Sequence, residues 1–253
     1  MPLLLAAITG IGLGAAAGAV INQVVERESD AKMARTENRP LPTGRVSQQN
    51  AFIFALLLAA GSVFVLTVWV NVLTAVLTFA SMIGYAVIYT MYLKKATPQN
   101  IVIGGLAGAT PPLLGWTAVT NSVDPEGLLL VLIIYTWTPP HFWALAIHRR
   151  DDYAKVNLPM LPVTHGIEFT KYSILGYTIL MIMVTLLPYL AFMRGWIYLI
   201  SAVVLGGYFL YKVLLLMFSS RENAAIRTFV YSINYLMLLF IAMVVDHYML
   251  TPV

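Results

Sequence analysis

Three oxygen-bearing side chains recur at four-residue intervals near the start of the chain. Asn22, Glu26 and Asp30 lie in the polar stretch 22–44, which interrupts long apolar runs. On a continued α-helix the three would share one face, with a drift of about 40° per step. An amide and two carboxylates are suited to a hard divalent cation. The spacing therefore predicts a metal site on this helix face.

Basic side chains follow this motif and also end a later apolar run. Arg35, Arg39 and Arg45 follow Asp30 within fifteen residues, and Lys94–Lys95 comes after a tyrosine-rich segment. Guanidinium groups can bind phosphate oxygens through two parallel hydrogen bonds. One interpretation is an anion site beside the metal site. The other is that these cations only set the topology of the chain in a membrane, and both stay open.

A second polar constellation occupies residues 137–162. The pair Pro139–Pro140 removes two backbone donors, which predicts a helix break that faces a cavity or other protein and not lipid. His141 follows at once, His148 shares a helical face with it, and Asp152 continues that face. A histidine in a helix is more often structural than functional, so a structural role for these residues remains an alternative.

The elements that must position these residues follow from the composition. Of the 253 residues, 60% are hydrophobic and only 10% are charged, whereas soluble domains have about a quarter charged residues. The chain is therefore predicted to be an integral membrane protein without a soluble domain or a nucleic-acid partner. Cysteine is absent, which excludes disulfides and thiolate-ligated metals.

Eight apolar runs approach the length of about 20 residues that a spanning helix needs. The period-two alternation of an outer-membrane barrel is missing, so an all-α polytopic helical bundle is the predicted fold. The runs are Pro2–Ile21, Phe52–Val70, Leu73–Leu93, Ile101–Val119, Gly127–Ile147, Ile174–Phe192, Gly195–Met217 and Phe229–Val245.

Charge placement predicts the orientation. When the runs are assigned to alternate sides, Arg194 alone of the 15 lysines and arginines falls on one side. The bias places both polar constellations in the cytoplasm, or in the matrix of an organelle. Two acidic faces on one side, surrounded by cations, favour Mg²⁺-assisted chemistry on a diphosphate whose apolar tail lies between helices. This pattern indicates prenyl transfer.

The motifs resemble those of a known family. Residues 22–42 are similar to the first aspartate-rich motif of the UbiA superfamily of intramembrane prenyltransferases, normally Asn, Asp and Asp at four-residue spacing, followed by Arg-Thr-x-x-Arg-Pro-Leu, here residues 35–41. The more specific resemblance is to the members that farnesylate haem b. It is carried by segments 89–95, 104–120, 137–153 and 159–162, in matching order along the chain.

This resemblance implies a reaction, a cofactor and partners. The farnesyl group of farnesyl diphosphate would pass to the 2-vinyl group of haem b, giving haem O and diphosphate on the route to haem A of terminal oxidases. Mg²⁺ would be the cofactor and haem b a substrate. Haem A synthase or oxidase assembly factors are candidate partners, and the membrane would be a bacterial or archaeal plasma membrane or the mitochondrial inner membrane.

The resemblance also implies roles for individual residues. The metal ligands would be Asn22, Glu26, Asp30 and Asp152, which with Lys94 form the catalytic set. The other substrate-binding residues would be Arg35, Arg39, Lys95, Trp137, His141, His148, Arg149 and Tyr153. Two roles stay open for His141, which could ligate the haem iron or hydrogen-bond a propionate. His148 is a further candidate metal ligand.

Two departures from the family pattern bear on activity. Glu26 stands where the motif normally has aspartate, and the extra methylene moves the carboxylate oxygens by about 1 Å, enough to lower a rate. The family has nine spanning helices and eight are visible here. We therefore expect residues 1–253 to form a single domain that lacks the first helix of the family.

Two other functions are kept as alternatives. One is a related prenyltransferase acting on a quinone precursor or on chlorophyllide. The other is a transporter, because intramembrane prolines and polar residues also mark substrate pathways. Transporter sites lie near the midplane, whereas the polar groups here cluster at one face, which disfavours transport.

Overall fold

The computed structural model describes residues 2–33, 36–218 and 223–249, with Lys95 described by its backbone only. Within these ranges eight helices are long and apolar enough to cross a membrane, and no residue lies in a β-strand. They are α1 (Pro2–Val25), α2 (Gln48–Trp69), α3 (Val72–Leu93), α4 (Asn100–Thr120), α5 (Pro125–His148), α6 (Gly166–Leu190), α7 (Trp196–Phe218) and α8 (Ala224–Met249). The predicted all-helical membrane fold is confirmed.

Each predicted run overlaps one helix, but several helix ends differ because polar caps and turns set them. The side chain of Ser47 accepts a hydrogen bond from the N–H of Asn50 at 3.1 Å, so α2 begins before its apolar run. Asn71 accepts from the N–H of Thr74 at 2.8 Å at the start of α3. Gly166 has φ +83°, a conformation that favours glycine, and α6 begins at this turn.

The described residues divide into two compact units. Unit 1 comprises residues 1–127 and 154–159, and unit 2 comprises residues 128–153 and 160–253, apart from the positions outside the described ranges. The first motif lies in unit 1, and the residues of the second constellation that could do chemistry lie in unit 2. The assignment of the whole chain to a single domain stays a prediction.

In unit 1, small residues allow α1 and α2 to pack closely. Helices in a membrane associate through close backbone approach, because lipid provides no hydrophobic driving force between them. The hydroxyl of Ser62 on α2 donates to the carbonyl oxygen of Gly10 at 2.6 Å, and a Cβ on Gly10 would lie 2.5 Å from Cγ of buried Leu66. The buried residues of α1 are Ala7, Gly10, Gly14, Ala17 and Gly18.

The second half of α3 is a π-helix. It spans Gly84–Leu93, and the hydroxyl of Thr90 donates to the carbonyl oxygen of Tyr85, five residues earlier, at 2.9 Å. The Tyr89 ring lies against α4, where a Cβ on Gly104 would collide with a ring carbon. The wider turn changes which residues of α3 face α1. The sequence analysis did not predict this element.

A proline in α4 leaves a carbonyl group that side chains satisfy. Pro111 has no N–H, so the carbonyl of Ala107 loses its helical donor. The hydroxyl of Thr110 donates to this carbonyl oxygen at 2.8 Å, and the hydroxyl of Ser81 on α3 contacts it at 3.3 Å. No water is available in a bilayer core for this purpose, so these hydroxyls satisfy the carbonyl where α4 is interrupted at Thr110, between Asn100–Ala109 and Pro111–Thr120.

In unit 2, the predicted break at Pro139–Pro140 is wrong. Helix α5 continues through both prolines to His148. The hydroxyl of Thr138 donates to the carbonyl of Ile134 at 2.8 Å, and the indole N–H of Trp137 donates to the Ser232 carbonyl of α8 at 2.8 Å. The anchor to α8 holds this part of α5 against its neighbour at the point where two backbone donors are missing.

The start of α7 is capped by a carboxylate from α8. Asp246 is 3% exposed, and its two oxygens accept hydrogen bonds from the N–H groups of Gly195 at 2.6 Å and Tyr198 at 3.0 Å. A negative charge at a helix N-terminus is favourable, and the first backbone donors need such partners. This contact fixes the start of α7 against α8.

The tight packing at Gly10 generates a stability prediction. Gly10→Ala would force Leu66 to move, so we expect a lower thermal-unfolding midpoint in detergent, corresponding to a loss of about 1–3 kcal/mol. Gly12→Ala is the matched control, because nothing lies within 4 Å of a Cβ there. It is expected to be neutral or slightly stabilising. Equal midpoints for the two variants would contradict the packing argument.

Candidate active site

The first motif keeps its helical register across an interruption. Helix α1 ends at Val25, and a short helix follows over Arg27–Asp30. The N–H of Glu26 donates to the Asn22 carbonyl at 2.9 Å, and the N–H of Asp30 donates to the Glu26 carbonyl at 2.8 Å. Successive four-residue backbone bonds therefore link the three candidate residues, as their spacing predicts.

Two motif side chains bind the C-terminal part of α3 and the residue after it. The side-chain amide of Asn22 contacts the hydroxyl oxygen of Thr90 at 3.0 Å. The Glu26 carboxylate accepts a hydrogen bond from the ammonium group of Lys94. Both members of this ion pair are largely shielded from solvent, with side-chain exposures of 12% and 18%. The π-helix thus brings a hydroxyl and a cation to the α1 motif.

The third motif residue is the most buried. Asp30 is 3% exposed, and its carboxylate accepts from the Arg39 guanidinium at 2.7 Å. The hydroxyl of Thr36 donates to the Asp30 backbone carbonyl at 2.9 Å. The segment after the short helix therefore folds back onto Asp30. Buried carboxylates need a cation and hydrogen-bond donors, and this contact provides both.

A cavity in unit 1 lies along the same helix as the motif. It has a volume of about 300 Å³ and is lined by α1, α3 and α4. On α1 it is bounded by Gly14 and Gly18, and Gly18 lies four residues before Asn22. Ser81 and Tyr85 of α3 add polar atoms to a largely apolar lining. An apolar cavity followed along α1 by a polar motif suits a ligand with an apolar chain and a polar head group.

The second motif forms its own hydrogen-bonded turn in unit 2. After α5 ends at His148, a short helix spans Arg150–Lys155, and the N–H of Tyr153 donates to the Arg149 carbonyl at 3.2 Å. Asp152 contacts Arg149 at 3.5 Å between carboxylate and guanidinium, and both side chains are more than one third exposed. His148 is exposed and Tyr153 is buried.

Aromatic rings enclose the first histidine of the second constellation. The His141 ring stacks on Trp137 of the same helix at a centroid distance of 4.1 Å, and on Phe229 of α8 at 4.6 Å. Its Nδ1 lies 2.6 Å from the hydroxyl oxygen of Ser232. Trp137 and His141, both predicted to contact substrate, are thus brought together in unit 2.

The donor chemistry of the first motif fits Mg²⁺. In the part of the chain that the structure describes, no three His, Asp or Glu side chains lie close enough together to hold a metal ion. Mg²⁺ nevertheless needs few carboxylates, because waters and substrate phosphates complete its shell. The oxygens of Asn22, Glu26 and Asp30 suit that requirement, and the predicted metal site stays a prediction.

Some site residues lie outside what the structure describes, and others were missed by the sequence analysis. Arg35 falls outside the described residues, as does the side chain of Lys95. Thr36 could have been found, since it belongs to the Arg-Thr-x-x-Arg pattern. Thr90 and Ser232 carry no sequence signal, because their partners are 68 and 91 residues away along the chain.

Known proteins match this chain over almost its whole length. The UbiA prenyltransferase family model matches residues 1–244. Protoheme IX farnesyltransferase 2 of Pseudoalteromonas atlantica is 61% identical over 247 residues, covering 98% of this chain and 81% of the relative. Protoheme IX farnesyltransferase of Colwellia psychrerythraea is 58% identical over 247 residues, with the same coverage of both chains.

Solved structures with low sequence identity share the fold. A digeranylgeranylglyceryl phosphate synthase structure has a TM-score of 0.80 at 20% identity, covering 96% of this chain and 84% of that one. A UbiA homologue from Archaeoglobus fulgidus bound to DMAPP and Mg²⁺ has a TM-score of 0.64 at 15% identity, covering 97% and 88%. With the family match over nearly the whole sequence, the resemblance drawn from the motifs is confirmed: the chain belongs to the UbiA prenyltransferase family.

Proposed function

We propose that this chain has protohaem IX farnesyltransferase activity, joining the farnesyl group of farnesyl diphosphate to the 2-vinyl group of haem b. The name and high identity of the two bacterial relatives support the acceptor. One observation supports farnesyl diphosphate as the donor substrate. Backbone hydrogen bonds hold Asn22, Glu26 and Asp30 in one helical register, and two cationic side chains lie beside them. This motif follows an apolar cavity along α1.

The diphosphate would be bound by the first motif and its cations. Arg39 and Lys94 each donate one N–H to a carboxylate. A guanidinium has five N–H donors and an ammonium has three, so both can also donate to diphosphate oxygens while their ion pairs stay formed. The neighbouring carboxylates hold these donors in place before the substrate arrives, which lowers the cost of ordering them.

Mg²⁺ would be held by Asn22, Glu26 and Asp30, with Asp152 as a further ligand. Bound there, the ion would neutralise charge on the diphosphate and so favour its departure. The structure of the Archaeoglobus fulgidus homologue contains Mg²⁺ together with a prenyl diphosphate. These four residues are proposed as ligands because their side chains offer the oxygen donors that Mg²⁺ prefers.

The transfer itself needs no protein nucleophile. The bond between C1 of the farnesyl group and the bridging oxygen breaks, and its electron pair leaves with diphosphate, whose added charge Arg39 and Lys94 stabilise. The vinyl π-electrons of haem b form the new carbon–carbon bond with C1. Water then adds to the resulting cation and loses a proton, which gives the hydroxyethylfarnesyl group of haem O.

The haem would be bound by the second constellation. Trp137, which stacks on His141, is an aromatic ring suited to packing against a planar apolar ring system, and Tyr153, Arg149 and His148 follow on the same segment. The reaction would face the cytoplasm or an organellar matrix, where the predicted charge bias places both motifs. Haem A synthase or oxidase assembly factors are proposed partners that would receive the product.

A test of acceptors decides between this activity and a related one. We expect purified protein with labelled farnesyl diphosphate and Mg²⁺ to label haem b, with negligible label on a quinone precursor or chlorophyllide. Haem extraction after expression in cells that lack the enzyme gives the matching measurement, namely haem O on chromatography. Label on another acceptor in place of haem b would reassign the substrate.

The carboxylates are tested by amide substitution. Asp30→Asn and Asp152→Asn remove a charge at nearly constant volume, and we expect each to lower haem O formation by at least about 100-fold, the usual effect of losing transition-state charge stabilisation. Asp151→Asn, at the exposed neighbouring position, is expected to retain activity. Membrane insertion of all three is checked by immunoblot. Unchanged activity of Asp30→Asn would reject the first motif as part of the site.

The Arg39–Asp30 pair is expected to matter for stability as well as catalysis. Arg39→Gln leaves a carboxylate that is 3% exposed without its cation, so we expect a loss of about 1–3 kcal/mol in thermal unfolding. A double-mutant cycle with Asp30→Asn should show coupling between the two changes. The control is Lys171→Gln, whose partner Glu168 is 74% exposed, and its cost should stay below about 1 kcal/mol. Equal costs would contradict the role assigned to burial.

A further inference from the structure

The hydrogen bonds around Ser232 determine which nitrogen of His141 carries a proton. The Ser232 side chain is completely buried, and its hydroxyl oxygen lies 2.6 Å from two atoms, the backbone carbonyl oxygen of Phe229 and Nδ1 of His141. Each separation is that of a hydrogen bond and needs one proton between the two atoms. A serine hydroxyl has only one proton to give.

The carbonyl of Phe229 can only accept, so the serine proton must lie between these two oxygens. The proton in the second contact must then come from the imidazole. Nδ1 of His141 is therefore the donor, and the serine oxygen is the acceptor. In a neutral imidazole this leaves Nε2 without a proton and with a lone pair. Within the described residues, the ring makes its hydrogen bond through Nδ1 alone.

Stacking fixes the plane in which that lone pair lies. Trp137 and Phe229 flank the imidazole at 4.1 and 4.6 Å, with interplanar angles of 19° and 28°. The indole N–H of Trp137 also donates to the Ser232 carbonyl, so Ser232 of α8 contacts both Trp137 and His141 of α5. Because Trp137 and Phe229 cover both faces of the imidazole, the ring edge at Nε2 is what remains for a ligand, and the lone pair makes this edge a Lewis base.

We propose that Nε2 of His141 is the axial ligand of the haem b iron and that Ser232 is a positioning residue that holds the required tautomer. This inference rests on the proposed function for the identity of the substrate. A propionate accepts hydrogen bonds and needs an N–H donor, which Nε2 does not provide in this tautomer. Iron needs a lone pair, and neutral imidazole is a common haem ligand.

The ligation requires no proton transfer, since a lone pair on Nε2 forms the iron–nitrogen bond directly. The hydrogen bond from Nδ1 to Ser232 makes the ring a stronger donor to a metal, as second-shell acceptors do for metal-bound histidines. Ser232 would thus affect haem affinity without touching haem. This separates its role from that of an ordinary packing residue.

Resonance Raman spectroscopy of ferrous haem b added to the purified full chain tests the ligation. We expect an iron–imidazole stretching band in the wild type and its loss in His141→Gly. Added imidazole should restore the band in this variant, because the space between two rings is then open. Haem bound by the wild type without the band, or no recovery with imidazole, would overturn the ligation.

Three serine substitutions test the positioning role. Ser232→Ala should shift the band to lower frequency and weaken haem b binding by about 10-fold or more, while Ser232→Thr keeps the hydroxyl and should retain both. Ser201→Ala is the matched control, because Ser201 also donates to a helix carbonyl, at 2.8 Å, but bonds no histidine among the described residues. An unshifted band and unchanged affinity in Ser232→Ala would reject the role.

Haem O formation is measured in parallel and separates the two proposals. A ligated haem that is never farnesylated would reject the proposed function and leave the ligation standing. Haem O produced without any iron–imidazole band would support the proposed function and reject the ligation.

Discussion

Charge at the edge of an apolar helix bundle must be compensated within the protein, and the candidate site is built from that requirement. Asp30 and Glu26 have little contact with solvent, and each accepts a hydrogen bond from a cation that comes from another segment. Burying an unpaired carboxylate costs far more than a membrane protein of ordinary stability can tolerate. The same pairs that stabilise the fold therefore place Arg39 and Lys94 where a diphosphate would need them.

The packing of unit 1 determines where those cations can come from. The glycine and alanine face of α1 lets α2 approach closely at Gly10, and the π-helical half of α3 brings Thr90 and Lys94 to the α1 motif. A regular α-helix over the same residues would present a different set of side chains to α1, since each π turn adds a residue. The unusual backbone is thus part of how the site is formed, as π segments often are at functional sites.

The spanning helices and the first motif could be predicted from the sequence because both depend on local periodicity. Eight apolar runs of sufficient length predict eight helices, and the spacing of Asn22, Glu26 and Asp30 predicts a common register. Features that depend on distant partners could not be predicted in this way. The helix was predicted to break at Pro139–Pro140, but Trp137 anchors α5 to the Ser232 carbonyl of α8. The π-helix likewise depends on contacts between helices, and no local sequence pattern predicts it.

Glu26 shows how an apparent departure from a motif can be consistent with its surroundings. The family pattern has aspartate at this position, and the longer side chain displaces the carboxylate by about 1 Å. Here Glu26 lies at the junction between α1 and the short helix, with φ −94° and ψ 5°, outside regular helical geometry. Its carboxylate reaches Lys94 from this junction. An aspartate would have to recover the missing methylene by moving the backbone, yet the backbone is held by hydrogen bonds to Asn22 and from Asp30. The length of the side chain and the interruption of the helix therefore have to be considered together, because both set where the carboxylate meets Lys94.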